Sequence, residues 1–463
     1  MTELHDLTAL EQAAAIRGGE VSSLELVEHY LERIDQLGES LGAFVTVTGE
    51  QARERARERG HGVLAGVPTA IKDLNLTAGV RTTFGSALTR DFVPEISDEV
   101  VVRIEAAGMP SLGKTNTPEF GSPCYTEPEV APPAVTPYDP RLMAGGSSGG
   151  AAAAVAAGLV PVAQGSDGGG SIRIPASCCG LVGLKPSRGR ISGAPLYGEI
   201  TGLATAGSLA RTVRDAAAFL DILAGPAIGD PSWAPPGESF LAACDREPGR
   251  LRIARFIEPV LADVDVAPEC IEAWESASRL LESLGHEIVD IEPPMSRDAV
   301  PTFVTCWAVL TGLSTYPLDA DQRTQLRPLT RWLGERGEAI SGPEFGLALG
   351  EMRRVAAGVI RSTSSYDAVL TPTLAALPLP VGALRDDEDP AADFDAQTRF
   401  TPWTSMWNVT GSPAVSLPLH WTAGGLPVGV MLAGRPAGEA DLLALAAQIE
   451  TASPWLDRHP PCW

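Results

Sequence analysis

Apolar positions recur along this chain with a helical period in some stretches and in short unbroken runs in others. Residues 8–37 read as two helices. In the second, Leu24, Val27, Leu31 and Ile34 fall on one stripe, Ser22 and Glu25 fit a capping box, and Gly38 ends the run. A strand is expected at 43–48, a charged helix at 51–59, a helix at 98–107 capped by Ser97, and strands at 109–112 and 160–164. Thr212 and Asp215 open a helix over 212–224. Residues 225–250 are rich in Pro and Gly and mark the one clear seam. Beyond it come a strand (251–256), a helix (267–284), a strand (286–291), a mostly helical segment (300–363), strands at 366–370, 413–418 and 427–433, and a helix at 438–449. The acidic stretch Asp386–Asp389 falls in a loop.

Strands that alternate with helices imply an α/β fold, with a large sheet covered by helices on both faces. The seam reads as a surface excursion, so the 463 residues are expected to form one domain. Within it, 1–60 would hold N-terminal helices, 61–225 a core and 226–250 the excursion, leaving 251–463 as the second part of the sheet.

Charge narrows the range of partners. Thirty-five basic residues against 58 acidic ones give a net charge of −23, which disfavours nucleic acid and anionic membrane surfaces. The start, MTELHDLTAL, lacks the basic head and apolar run of a signal peptide. The longest apolar stretch, 151–163, is too short to span a bilayer. A cytoplasmic protein is the expectation. Seven cysteines without a C-x-x-C pair read as free thiols, and six scattered histidines argue against zinc. A homodimer is compatible with all of this.

The basic residues are unevenly chosen. Only Lys72, Lys114 and Lys185 are lysines; the other 32 of the 35 are arginines. Arg stays protonated, whereas a desolvated Lys can lose its proton. The lysines therefore mark positions where Arg cannot serve.

Three short motifs fail on context. Gly108–Thr115 matches a phosphate loop, but a helix precedes it and Pro118 would break a helix begun at its end. Ser111–Lys114 matches S-x-x-K in a stretch too rich in Pro and Gly for a helical turn. Gly145–Gly149 matches G-x-S-x-G, yet the residues before it do not read as a strand, and no downstream His has an obvious acid partner.

A longer constellation survives. From Gly145 the chain reads GGSSGGAAAAVAAGLVPVAQGSDGGGSIRIPASCCGLVGLKPSRGR. A Gly/Ser turn leads into an Ala-rich helix, then a strand, then Gly168-Gly169-Gly170-Ser171. Successive glycines let backbone N–H groups converge on one point, as an oxyanion requires, and a serine at the end is placed to attack a carbonyl. Such a nucleophile needs a base. Lys72 lies in the apolar run GVPTAIKD, where desolvation would lower its pKa.

These segments resemble the amidase signature family. The likeness rests on 145–190, on GVPTAIKD (66–73), on GKTNTPEF (113–120), and on NVTGSPAVSLP and GLPVGVMLAG between Asn408 and Gly434. The spacings 171 − 147 = 24 and 171 − 72 = 99 also fit. The resemblance implies one amidase domain over 1–463 with a large mixed sheet. It implies Ser171 as nucleophile, Ser147 as a bridging serine in a cis peptide after Gly146, and Lys72 as base. The N–H groups of Gly168, Gly169, Gly170 and Ser171 would form the oxyanion hole, with Asp167, Arg173 and Ser148 supporting the loop. Pocket candidates are Phe120, Tyr125, Tyr138, Ile174, Trp307 and Trp403. No metal or cofactor is needed. The implied substrate is a small, neutral, partly hydrophobic amide, anilide or carbamate. The rival is a glutaminase-type subunit that feeds ammonia to a tRNA-dependent amidotransferase. The chain departs from the common pattern at Met143-Ala144, Ser166, Gly168 and Met431.

Overall fold

A computed structural model describes residues 3–58 and 60–463. Among the described residues, eleven strands form one sheet: β1 (Phe44–Val47), β2 (Thr69–Lys72), β3 (Ser111–Thr115), β4 (Val162–Asp167), β5 (Val182–Lys185), β6 (Thr205–Ala210), β7 (Arg252–Arg255), β8 (Glu287–Asp290), β9 (Ala368–Pro372), β10 (Ala414–Trp421) and β11 (Pro427–Gly434). Their spatial order is β1-β3-β2-β4-β6-β5-β10-β11-β9-β7-β8. The sheet is mixed. β2 runs parallel to β3 and β4, and β7 parallel to β8 and β9, while the strands from β4 through to β9 pair antiparallel. Every residue of β2, β5 and β9 is buried, as expected of strands covered on both faces. This is the α/β architecture that the sequence implies.

Most expected elements are present, some with trimmed ends, some shifted by about two residues, and the last three, Ala414–Trp421, Pro427–Gly434 and Glu439–Ala452, running past their expected ends. The second helix, Ser23–Leu37, carries the Ser22/Glu25 capping box. Its buried stripe is Leu26, Val27, Tyr30 and Ile34, with Leu24 and Leu31 only half-buried at its margin. The first helix, Ala9–Gly18, has a capping box of its own, built from Thr8 and Glu11. The expected charged helix covers Gly49–Arg55, and Arg59 lies outside the described residues. The helix expected from 98 runs Glu99–Ala106 with Asp98, not Ser97, at its N-cap. The Ser97 hydroxyl instead accepts from the Ala78 N–H at 2.9 Å. The mostly helical segment resolves into Val300–Thr315, Ala320–Thr324, Pro328–Ala339 and Gly342–Thr363. The seam holds a short helix, Phe240–Ala243, tied to Asp221 through the Phe240 and Leu241 N–H groups. No helix among the described residues is long and apolar enough to cross a membrane.

Two shifts of register bear on the placement of polar groups in the sheet. The strand expected at 109–112 lies at Ser111–Thr115, which puts Lys114 inside the sheet. The strand expected at 160–164 lies at Val162–Asp167, so it ends directly at the triple glycine. Behind it the Ala-rich helix Gly149–Ala156 is buried throughout. Gly150 allows its close approach: a Cβ there would sit 2.3 Å from the Asn116 backbone N.

Candidate active site

Lys72 is the last residue of β2, and Asp167 is the last of β4, its parallel neighbour. The carboxyl ends of adjacent parallel strands are where α/β sheets place ligands. The chain leaves β4 through the glycines and enters the helix Arg173–Cys179, with Ser171 on the turn between them.

Lys72 is completely buried. Its Nζ donates to Ser147 Oγ at 2.8 Å, to Ser166 Oγ at 3.1 Å and to the Ser166 carbonyl at 3.4 Å. Among the described residues no carboxylate touches it. Burial brings its pKa down to about 7, against a smaller upward pull from Asp167. The Gly146–Ser147 peptide is cis, as the resemblance implies. The Gly146 backbone packs so closely on Tyr125 that a Cβ would lie 2.8 Å from the backbone of that residue. Ser148 ties the two serine segments together. Its N–H donates to the Ser171 carbonyl (3.0 Å), and its hydroxyl donates to the Ser166 carbonyl at 3.2 Å and accepts from the Ser166 N–H at 3.3 Å.

The glycine loop is held by one carboxylate. Asp167 Oδ1 accepts from Gly170 N–H (2.8 Å), Arg173 Nη2 (2.8 Å) and Asn408 Nδ2 (2.8 Å), and Oδ2 accepts from Ile172 N–H (3.2 Å) and Arg173 Nε (2.9 Å). Five donors, two from a guanidinium, hold this carboxyl well below the usual range despite its burial. The arrangement corrects one expectation. The Gly170 N–H, expected to face an oxyanion, is turned inward to Asp167. Among the described residues, the N–H groups of Gly168, Gly169 and Ser171 have no protein partner.

Arg173 extends the brace across the sheet. Its Nη1 donates to the Thr404 carbonyl (2.8 Å) and contacts Met431 Sδ (3.3 Å), and its Nη2 donates to Asn408 Oδ1 (2.7 Å). Thr404 Oγ1 in turn donates to the Gly169 carbonyl at 2.6 Å. Sequence reasoning missed Thr404 and Asn408 as loop supports. The available signal was a buried Asp and Arg flanking the glycines, which had to find neutral partners elsewhere in the chain.

Ser171 opens onto a cleft bordered by Gly169, Ser122, Cys124, Ile174, Phe303, Trp307, Phe394, Gln397 and neighbouring residues. No Asp, Glu, Lys, Arg or His borders it among the described residues. Phe303 and Trp307 stack with centroids 5.6 Å apart, and a Cβ on Gly168 would meet Trp307 at 3.3 Å. The small residue at 168 is thus matched to the indole above it.

Of the six pocket candidates, Ile174 and Trp307 border the cleft and four do not. Tyr125 is buried, and its hydroxyl donates to Asp393 at 2.6 Å. Tyr138 donates to the Arg458 carbonyl at 3.0 Å on another part of the surface. Trp403 is wholly buried in an apolar cluster with Met406, Trp407 and Met431. Phe120, half-buried at φ 48°, accompanies Gly121 through a tight turn. Aromatic identity alone does not separate a pocket wall from core packing. Phe303, Phe394 and Gln397 were missed because their helices carry no local motif.

The other two lysines are also buried. Lys114 Nζ donates to the Asn75 carbonyl (2.6 Å) and Thr82 Oγ1 (2.7 Å) and lies 3.4 Å from Asp73 Oδ1. Lys185 Nζ donates to the Pro186 carbonyl at 2.8 Å.

The sequence model of the amidase family matches residues 25–443. The 6-aminohexanoate-cyclic-dimer hydrolase of Paenarthrobacter ureafaciens is 35% identical over 476 residues, covering 98% of this chain and 96% of that protein. A solved structure of 6-aminohexanoate cyclic dimer hydrolase complexed with substrate superposes with a TM-score of 0.93 at 33% identity, covering 99% of this chain and all of the other. A bacterial aryl acylamidase of the amidase signature family superposes with a TM-score of 0.88 at 26% identity, covering 99% of this chain and 98% of the other.

Proposed function

Since this chain belongs to the amidase family and is a hydrolase of amide C–N bonds, we propose that Ser171, Ser147 and Lys72 carry its chemistry in series. Ser171 Oγ attacks the substrate carbonyl. Its proton passes to Ser147 Oγ as the Ser147 proton passes to Lys72 Nζ. The developing oxyanion is met by the free N–H groups of Gly168, Gly169 and Ser171. The C–N bond breaks as the leaving nitrogen takes a proton back along the same path. Water then adds to the acyl-enzyme, releasing the acid and restoring Ser171.

One observation carries this reading: a fully buried lysine, with no carboxylate against it among the described residues, donates at 2.8 Å to a serine on the cis peptide beside the nucleophile loop. A lysine paired to an acid would stay protonated. This one, with its pKa near 7, can accept a proton at neutral pH.

The cleft supports a neutral, partly apolar substrate: an amide, anilide or carbamate. With no charged side chain in its wall among the described residues, a charged group would enter without compensation. Residues 61–225 supply the three reacting groups, and 251–463 supply Phe303, Trp307 and Gln397, so residues 1–463 are read as one functional unit.

The test is active-site labelling with a fluorophosphonate, followed by peptide mapping. The adduct is expected on Ser171 and absent from Lys72→Ala. An adduct on Ser147 alone would overturn the assignment of roles. Hydrolysis of simple anilides by the isolated chain would set it apart from a subunit that needs a partner.

A further inference from the structure

Lys72 has two hydroxyl partners, and they lead in different directions. Ser147 Oγ, at 2.8 Å, leads toward Ser171 and its cleft. Ser166 Oγ, at 3.1 Å, leads away from it. Ser166 borders a second, open cleft, together with Asn75, Asp98, Arg188, Ser192, Ala204 and Thr205 among others. Among the described residues the two clefts share no bordering residue. The glycine loop stands between them. A Cβ on Gly168 would lie 3.3 Å from Trp307, which borders the first cleft, and 3.5 Å from the Ala204 side chain, which borders the second.

Ser166 is half-buried, whereas Lys72, Ser147 and Ser171 are buried. Its N–H and carbonyl are both engaged by the Ser148 hydroxyl, so what it shows the second cleft is its hydroxymethyl group. Its Oγ accepts from Lys72, and its own proton has no acceptor among the described residues. A water in the cleft can take that proton as a hydrogen-bond partner. The cleft is polar. The Lys72 N–H donates to Gln164 (2.9 Å), Gln164 to Asn75 (3.0 Å) and Asn75 to Asp98 (2.9 Å), which fixes two of its walls. The carboxylates of Asp98, Glu199 and Asp230 outnumber the guanidinium of Arg188, a balance that draws protons.

We propose that Ser166 is a second relay hydroxyl, through which Lys72 exchanges its proton with water in the second cleft while substrate or acyl-enzyme covers the first. The inference rests on Lys72 acting as the base. In each exchange Lys72 Nζ gives a proton to Ser166 Oγ as the Ser166 proton passes to a cleft water. Lys72 is left neutral, Ser166 is unchanged, and the water carries the proton away. The chemistry calls for such an exit. Hydrolysis of an anilide near pH 7 yields a carboxylate and a neutral aniline, so each turnover releases one net proton. The first cleft, with no charged side chain in its wall among the described residues, holds no group to take it. A Lys72 already protonated when substrate arrives would otherwise stay so until the substrate left.

The test is the order of mixing, read by stopped-flow release of nitroaniline from a saturating nitroanilide. The full chain is held at about pH 5.5, where Lys72 is protonated, and brought to about pH 8.5 either before the substrate is added or after it has bound. In the parent the first turnover should run at the same rate, within about two-fold, in both orders. In Ser166→Val the substrate-first order should be slower than the pH-first order by about ten-fold or more, because the proton waits for the substrate to leave. Ser166→Thr, which has the same shape as the valine and keeps the hydroxyl, should abolish that difference. A merely structural role for Ser166 would slow both orders alike. Equal rates for the two orders in Ser166→Val overturn the inference while leaving Ser171 and Lys72 in their roles. A lag in the parent after substrate-first mixing does the same, whether or not the valine variant folds. A parent kcat/KM that does not rise through about pH 7 overturns the base assignment beneath it.

Discussion

Replacing Lys72 by Arg separates the charge at this position from its capacity to accept a proton. Arg keeps a cation and can still donate to Ser147 Oγ, so the electrostatic environment of the loop is retained. What is lost is the neutral form. With a pKa of about 7, Lys72 is about half neutral at pH 7. A guanidinium with a pKa above about 12 is neutral in fewer than about one molecule in 10⁵ at that pH. The general-base contribution should therefore fall by about 10⁴-fold or more, to the floor of an anilide-release assay. The same argument fixes the sign of the pH dependence. The base works unprotonated, so kcat/KM of the parent should rise as pH passes through about 7 and level off above it. Thermal melts would check the fold. Lys72→Met, neutral and similar in length, serves as a second variant that avoids crowding the strand, and it should be equally inactive. Turnover by Lys72→Arg within about ten-fold of the parent would show that this lysine is not the base, because no pKa shift open to Arg could supply that activity.

The loop brace gives two further expected outcomes. Arg173→Leu leaves the Asp167 charge buried with only neutral donors; urea unfolding should show a loss on the order of 3–5 kcal/mol, and a loss below about 1 kcal/mol would count against the brace. Gly170→Ala forces a side chain onto φ +133° and brings its Cβ within 2.5 Å of Thr404 Oγ1; backbone strain on the order of 1–3 kcal/mol should distort the loop, and kcat should fall more than melting temperature does.

The site was more legible than the fold around it. Ser147, Ser171 and Lys72 sit in stretches whose composition serves no ordinary packing purpose: a glycine triplet, a Gly/Ser turn, and a lysine in an apolar strand. Such local departures show in the sequence itself. β2, β5 and β6 escaped notice for the opposite reason. They are four to six residues long, and two of them contain glycine, so neither alternation nor length marks them. Asn408 and Thr404 act on the loop from more than 230 positions away. Their role depends on how β10 and β11 are inserted into the sheet, which no local pattern encodes. The fate of the Gly170 N–H turned on the rotamer of Asp167. The inward carboxylate was visible as a composition but not as a direction.

The burial of all three lysines has a practical corollary. No lysine is more than 1% exposed, so of the lysine and arginine side chains only arginine brings a cation to the folded surface. Amine-directed reagents such as N-hydroxysuccinimide esters, glutaraldehyde or reductive alkylation should leave these side chains untouched while the sheet is intact. Because Lys72, Lys114 and Lys185 lie on three different strands, their acylation requires the sheet to come apart. The extent of lysine modification over time would then be a chemical clock for global opening, readable by mass spectrometry without any engineered label.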